Sequence, residues 1–172
     1  MYANTIETML AKQDIIDVQA RYARGVDRAD AALLHSCYFD DAIEEHGSAY
    51  SGPARAYVDG AIQRLGKTGV IAHYVCNSHI ELADDIAWVE TYLLTFARFG
   101  SNDDLDTLTG GRIVDRFEKR DGEWRIAHRK MAFDWNHDMP KNQGWCGGLF
   151  KPDDPRMVMG TKGEGDLSYS RF

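Results

Sequence analysis

Two periodicities divide the chain. Up to Leu65 the apolar residues recur every three or four positions, whereas from Val70 to Trp135 they alternate or run together in branched and aromatic stretches. The first pattern predicts helices. Thr5 or Asn4 can cap a short opening helix, and Lys12–Val26 reads as a longer one with Ile15, Val18, Tyr22 and Val26 in one stripe. Ala29–Cys37 is expected to form a further short helix carrying Leu33 and Leu34. Asp40 and Asp41 then turn the chain into a brief strand around Ala42–His46, and Gly47 and Gly52-Pro53 mark loops. Tyr57, Ala61, Ile62 and Leu65 predict a helix over Ala54–Leu65, closed by Gly66 and Gly69 through the left-handed backbone that glycine tolerates.

The second pattern predicts four strands, Val70–Leu82, Ala87–Phe99, Thr107–Lys119 and Glu123–Trp135. They are joined at Ala83-Asp84-Asp85, at the polar loop Gly100–Asp104 and at Asp121-Gly122, a strong tight-hairpin signal. The last three should form an antiparallel meander. Helices followed by strands give an α+β fold, with the N-terminal helices packed on the concave face of a curved antiparallel sheet. From Asn136 onward, prolines and glycines break any regular element. Trp145, Leu149, Phe150, Met157, Val158, Met159, Tyr169 and Phe172 nevertheless make this tail too apolar to stay solvated. Residues 1–135 are therefore read as one domain, and 136–172 as a C-terminal extension packing over a pocket mouth or onto a neighbouring subunit.

Composition narrows the function classes. A net charge of −7 and a pI near 5.3, without clustered Lys or Arg, exclude a nucleic-acid surface. There is no run of 18 apolar residues and Met1–Lys12 lacks a signal-peptide pattern, so no membrane span is expected and the cytoplasm is the expected location. Cys37, Cys76 and Cys146 are too widely spaced for a disulfide framework or a zinc ribbon and read as free thiols. The histidines, at 35, 46, 73, 79, 128 and 137, show no ligand spacing, so no metal is expected.

The candidate chemistry begins at Asp27. A carboxylate at a helix C-terminus faces the negative end of the dipole at a cost of about 0.3–1 kcal/mol, unless a donor compensates. By strand parity His73, Val75, Asn77 and His79 share a face, which makes Asn77 a candidate pocket group and leaves His79 as a surface residue. Trp88, Tyr92 and Phe96 alternate on the next strand and would wall an aromatic cavity or fill a core. Arg129 shares a face with Ala127, Met131 and Phe133, and in apolar company it needs a partner such as Asp115 across the hairpin. Asp103, Asp104 and Asp106 read as a solvated loop.

Gly25-Val26-Asp27 closing an early helix, His73 heading the first long strand and Asp121-Gly122-Glu123-Trp124-Arg125-Ile126-Ala127-His128-Arg129 in the last hairpin resemble the SnoaL-like branch of the nuclear-transport-factor-2-like superfamily. The likeness spans roughly residues 5 to 135. The pattern is nearest to the hexachlorocyclohexane dehydrochlorinases, scytalone dehydratases and bile acid 7α-dehydratases. The resemblance implies a cone-shaped α+β barrel that needs no cofactor, with His73 as general base and Asp27 as the carboxylate that holds it.

Tyr22 matches a tyrosine of the bile acid dehydratases where the dehydrochlorinases have lysine. A phenol donates a hydrogen bond but brings no fixed positive charge for departing chloride, which favours dehydration or isomerisation. Tyr22 also belongs to the core stripe. Arg129 matches an arginine that assists the leaving group in the dehydrochlorinases, with the Asp115 ion pair as its structural alternative. Implied overall is a cofactor-independent lyase, of dehydratase type, acting on a small hydrophobic cyclic substrate as a homo-oligomer, trimer or dimer. The alternatives are an isomerase acting next to a carbonyl and a non-catalytic small-molecule-binding or oligomerisation module.

Overall fold

A computed structural model of the protein describes residues 5–98 and 105–170. Helix α1 runs unbroken over Ile6–Arg28, so the separate opening helix expected before Lys12 is its first turns. Thr5 caps it in a reciprocal capping box with Thr8. Ile15, Val18, Tyr22 and Val26 face the core, together with Gln19. The helix ends at Ala29 in the left-handed conformation, and Asp30 caps the short α2, Ala31–His35, through the Leu33 N–H. Gly25 serves this corner by size: a Cβ there would lie 2.8 Å from Leu34 Cγ, so its absence lets α2 fold back against α1.

Strand β1 (Tyr38–His46) pairs with β2 (Tyr50–Pro53), a short antiparallel strand where loops were expected. Helix α3 (Ala54–Leu65) ends at Gly66 with an ordinary right-handed backbone, so the left-handed exit expected there is absent. The chain instead turns through Lys67 and Thr68, whose N–H groups donate to the carbonyls of Arg64 and Leu65. Strands β3 (Ile71–Ala83), β4 (Ile86–Ala97), β5 (Leu105–Arg120) and β6 (Glu123–Pro140) then form the antiparallel meander. Asp121 and Gly122 both have positive φ, as the two-residue hairpin requires. The expected loop at Gly100–Asp104 lies outside the described residues.

The sheet order is β2-β1-β6-β5-β4-β3, and β1 lies parallel to β6. One parallel pair therefore interrupts the expected antiparallel sheet, because β1 reaches β6 through the whole remaining chain rather than through a hairpin. Helices α1 and α3 cover the inner, concave face, where Val58, Leu65, Val89, Phe117 and Ile126 complete the core. Asp106, expected in a solvated loop, lies instead in β5, where it forms a buried bidentate pair with Arg98 at 2.6 Å. Strand β6 also runs five residues past Trp135 before the tail begins.

The tail packs on its own chain. Arg28 donates to the Thr161 carbonyl at 2.7 Å and pairs with Asp166, Tyr169 donates to Asp30 at 2.7 Å, and Lys162 donates to the Leu65 and Thr68 carbonyls at the end of α3. Asp166 anchors it. The Ser168 hydroxyl, the Thr161 and Ser168 N–H groups and Arg28 hold that carboxyl well below its ordinary value of 3.8. A lowered folded value gives stability that is complete above the unfolded value and lost as pH falls beneath it. Protection of the amides of residues 158–170 against hydrogen exchange, relative to the free-chain rate at each pH, is expected to fall as pH drops below about 4, and Asp166→Ala to be weakly protected at all pH values. Equal protection at pH 3 and pH 6 would dissociate Asp166 from tail docking.

Candidate active site

Asp27 is held in the last turn of α1, where its chain direction brings it to the start of β3. Its Oδ1 accepts from His73 Nδ1 at 2.6 Å and its Oδ2 from the His73 backbone N–H at 3.0 Å. These two donors compensate a carboxylate at the negative end of the helix dipole. They also fix the histidine. In the neutral ring, an Nδ1–H bound to Asp27 leaves the lone pair on Nε2, which has no hydrogen-bond partner among the described residues. Both side chains are nearly covered, at 12% and 13% exposure, yet His73 lines open space.

That space has two lobes. One, of about 270 Å³, lies over the sheet among Leu93, Thr95, Thr107, Thr109, Met131, Phe133 and Asn136. The other, of about 620 Å³, lies under α3 beside Tyr57, Ala61, Leu65 and Thr68. Tyr22, His46, Ile71 and His73 line both. A third, open groove of about 920 Å³ reaches Asp27 and His73 from the side of α1 and is walled by tail residues including Met159 and Leu167. The tail thus stands beside the dyad. Among the described residues, no group of three His, Cys, Asp or Glu side chains is arranged to hold a metal ion, and no helix is long and apolar enough to cross a membrane.

Tyr22 lies at the junction of the lobes with its ring over the Arg129 guanidinium, 4.1 Å from its carbon to the ring centroid. Burial, together with the negative charge of Glu44, pushes the Tyr22 hydroxyl up to about 12, so it stays protonated at neutral pH. Arg129 itself has no exposed surface and lines neither lobe. Its Nε and Nη2 donate to the two Asp115 oxygens at 2.8 and 2.7 Å, the structural pairing expected across the hairpin. Nη1 has no hydrogen-bond partner among the described residues. The guanidinium thus meets the cavity through the Tyr22 ring.

The four residues expected to wall the pocket lie elsewhere. Trp88 and Tyr92 are about half exposed, and Phe96 shares their outward parity, while Ala87, Val89, Thr91, Leu93, Thr95 and Ala97 take the inner face. Sequence parity establishes that two faces exist but not which is concave. Small and branched side chains fit the crowded inside of a bent sheet, and the large rings go outside. Asn77 is exposed because the pairing register shifts between Val75 and Ser78. Ser78 takes the inward place and bonds Thr91 at 2.8 Å and Gln19 at 3.1 Å.

The cavity residues not foreseen include His46, Tyr57, Thr95, Thr107, Thr109, Phe133 and Asn136. The alternation Leu93, Thr95, Ala97 and Thr107, Thr109, Gly111 was the signal for the inner face. Asn136 enters through a bulge at Asp134, which lies between the Gly111–Phe133 and Gly110–Trp135 pairs, and Asn136 donates to Thr109 at 2.9 Å.

A family model for the SnoaL-like domain matches residues 7–130. The chain belongs to the SnoaL-like domain family. A search of the curated proteins finds no match. Among solved structures, this SnoaL-like chain is similar to LinA, with a TM-score of 0.73 at 19% identity over 78% of this chain and 92% of LinA. It is also similar to the hexachlorocyclohexane dehydrochlorinase LinA-type3 from Novosphingobium barchaimii, with a TM-score of 0.72 at 16% identity over 78% and 93%. A scytalone dehydratase-like protein from Novosphingobium aromaticivorans gives 0.70 at 17% identity over 78% and 91%. At these identities the likeness establishes the nuclear-transport-factor-2-like fold.

Removing Arg129 leaves Asp115 buried without its counter-charge. Arg129→Met is expected to cost about 3–5 kcal/mol of unfolding free energy, measured by urea denaturation, and Asp115→Asn with Arg129→Met together to recover part of it. A loss under about 1 kcal/mol for the single variant would contradict this structural role.

Proposed function

We propose that this SnoaL-like protein is a cofactor-independent lyase that eliminates water from a small hydrophobic cyclic compound. The observation that carries the reading is the two-point grip of Asp27 on His73, which leaves an imidazole nitrogen facing a cavity of predominantly apolar lining. His73 Nε2 takes a proton from carbon next to an activating group, and Asp27 holds the required tautomer and balances the imidazolium formed. Tyr22, kept protonated by burial, donates a hydrogen bond to the carbonyl on which charge develops. Arg129 contributes its charge through the Tyr22 ring and keeps β5 and β6 in register beneath it. The dehydrochlorinase and dehydratase-like neighbours support elimination chemistry. The tyrosine at position 22 favours a departing oxygen over departing chloride.

Incubating the protein with hydroxylated cyclic ketones and hydroxysteroids, with product masses recorded, tests the reaction class. Loss of one water per molecule is expected, whereas an unchanged mass with an altered spectrum would mark an isomerase. On a substrate so found, His73→Ala is expected to lower kcat by roughly 10²–10⁴ and Asp27→Asn by a similar order, with the fold intact by circular dichroism. Tyr22→Phe should cost about 10²–10³. Wild-type turnover in folded His73→Ala and Asp27→Asn would sink the mechanism.

A further inference from the structure

A second carboxylate-held imidazole faces the same cavity. His46, at the end of β1, has Nδ1 at 3.1 Å from Glu44 Oε1 and at 3.1 Å from the Tyr57 hydroxyl. Its ring is clamped as well: it stacks on Tyr57 with centroids 5.1 Å apart and meets the edge of Phe133 at 5.8 Å. Glu44 has no exposed surface and takes the Tyr38 hydroxyl on its other oxygen at 2.9 Å. A buried carboxylate so placed repels a lone pair on Nδ1, so Nδ1 carries a proton, and Nε2 is the edge left towards the lobes that His46 shares with His73.

One carboxylate beside this ring has no other charged partner among the described residues. The Asp115 and Arg129 charges cancel each other, which leaves Glu44 as the buried anion that a cationic His46 would neutralise. The other titratable groups packed about His46 are Tyr57 on α3, Tyr50 opposite it on β2, Tyr22 on α1 and, in the same lobe, Arg64, Lys67 and His73, the last held by Asp27. None of the groups lining the lobe beside His46 is a carboxylate. Elimination of water needs such a donor, because hydroxide is a poor leaving group unless it is protonated as the C–O bond breaks.

We propose that His46, positioned by Glu44 and Tyr57, is the proton donor to the leaving oxygen, so that the cavity holds two histidines in opposite roles. The assignment rests on the lyase reading. His73 Nε2 removes the proton from carbon, and the C–H electron pair becomes the new C=C bond. The C–O bond breaks with its electrons going to oxygen, which receives the His46 Nε2 proton and departs as water. His46 is then neutral and His73 cationic, and transfer of one proton between them through solvent restores the site. Glu44 is a positioning residue.

Two measurements test this. Nitrogen NMR of the imidazoles at one fixed pH is expected to show at least a tenfold fall in the ratio of doubly to singly protonated His46 in Glu44→Gln, with less than a twofold change at His73. An unchanged His46 ratio overturns the proposal whether or not any substrate is turned over. The second uses 3-hydroxycyclohexanone and 3-acetoxycyclohexanone, since acetate departs without a proton. His46→Gln is expected to slow loss of water at least 100-fold and loss of acetate less than fivefold, while His73→Gln slows both. Equal slowing of both by His46→Gln overturns the donor role. If instead His73→Gln is without effect, the base assignment under the lyase reading fails and that of His46 is judged by its own pair of rates. His46→Gln alters a partly exposed cavity residue and keeps the question open to decision if Glu44→Gln does not fold.

Discussion

A guanidinium with no exposed surface has to be neutralised where it lies, and in this protein that requirement organises the centre of the molecule. Arg129 on β6 takes both oxygens of Asp115 on β5, and its free face is covered by the Tyr22 ring from α1. Three elements are thereby fixed against one another at one point. Arg129 keeps its proton more tightly than an ordinary guanidinium: burial works against the charge, and Asp115 together with the Tyr38 and Tyr22 hydroxyls outweighs it. Hydrophobic residues of similar volume could supply the same packing energy. They would not supply the cation beneath the phenol that lines the cavity.

The contact between Asp27 and His73 is the second tie between the helical layer and the sheet, and it serves local folding before it serves any chemistry. The backbone N–H of His73 would lack a strand partner on that side at the start of β3, and Asp27 would lack a donor at the end of α1. Each satisfies the other. A separate polar cluster of Ser78, Thr91 and Gln19 lies farther along β3 and ties that strand to β4 and α1.

Much of this was legible in the sequence. The change from helical to strand period located α3 to its ends, and the Asp121-Gly122 pair located the hairpin that pairs Arg129 with Asp115. Asp27 drew attention because its position was electrostatically unfavourable, and the compensating donors are those of His73. The inner wall was not legible. On β4 both parities carry apolar residues, and choosing between them needs the direction of the bend, which arises from all strands together. The shift after Val75 and the bulge at Asp134 each reverse parity midway along a strand, turning Asn77 outward and Asn136 inward. His46 gave no signal because its partners Glu44 and Tyr57 come from a strand and a helix whose packing angle no local pattern encodes.

The division of β4 by side-chain size has a consequence for how such a protein can change. Thr95 on β4 shapes one lobe with Thr107 and Thr109 on β5, while Trp88 and Tyr92 stand on the opposite side of β4. Neighbouring positions in one strand therefore answer to separate selective demands. The chamber can be enlarged, narrowed or made more polar by exchanging threonines without disturbing the outer surface. The aromatic exterior can be remodelled in turn without changing what fits within. A scaffold so partitioned can drift towards new ligands in small steps, each of which leaves the two histidines and their carboxylates where they are.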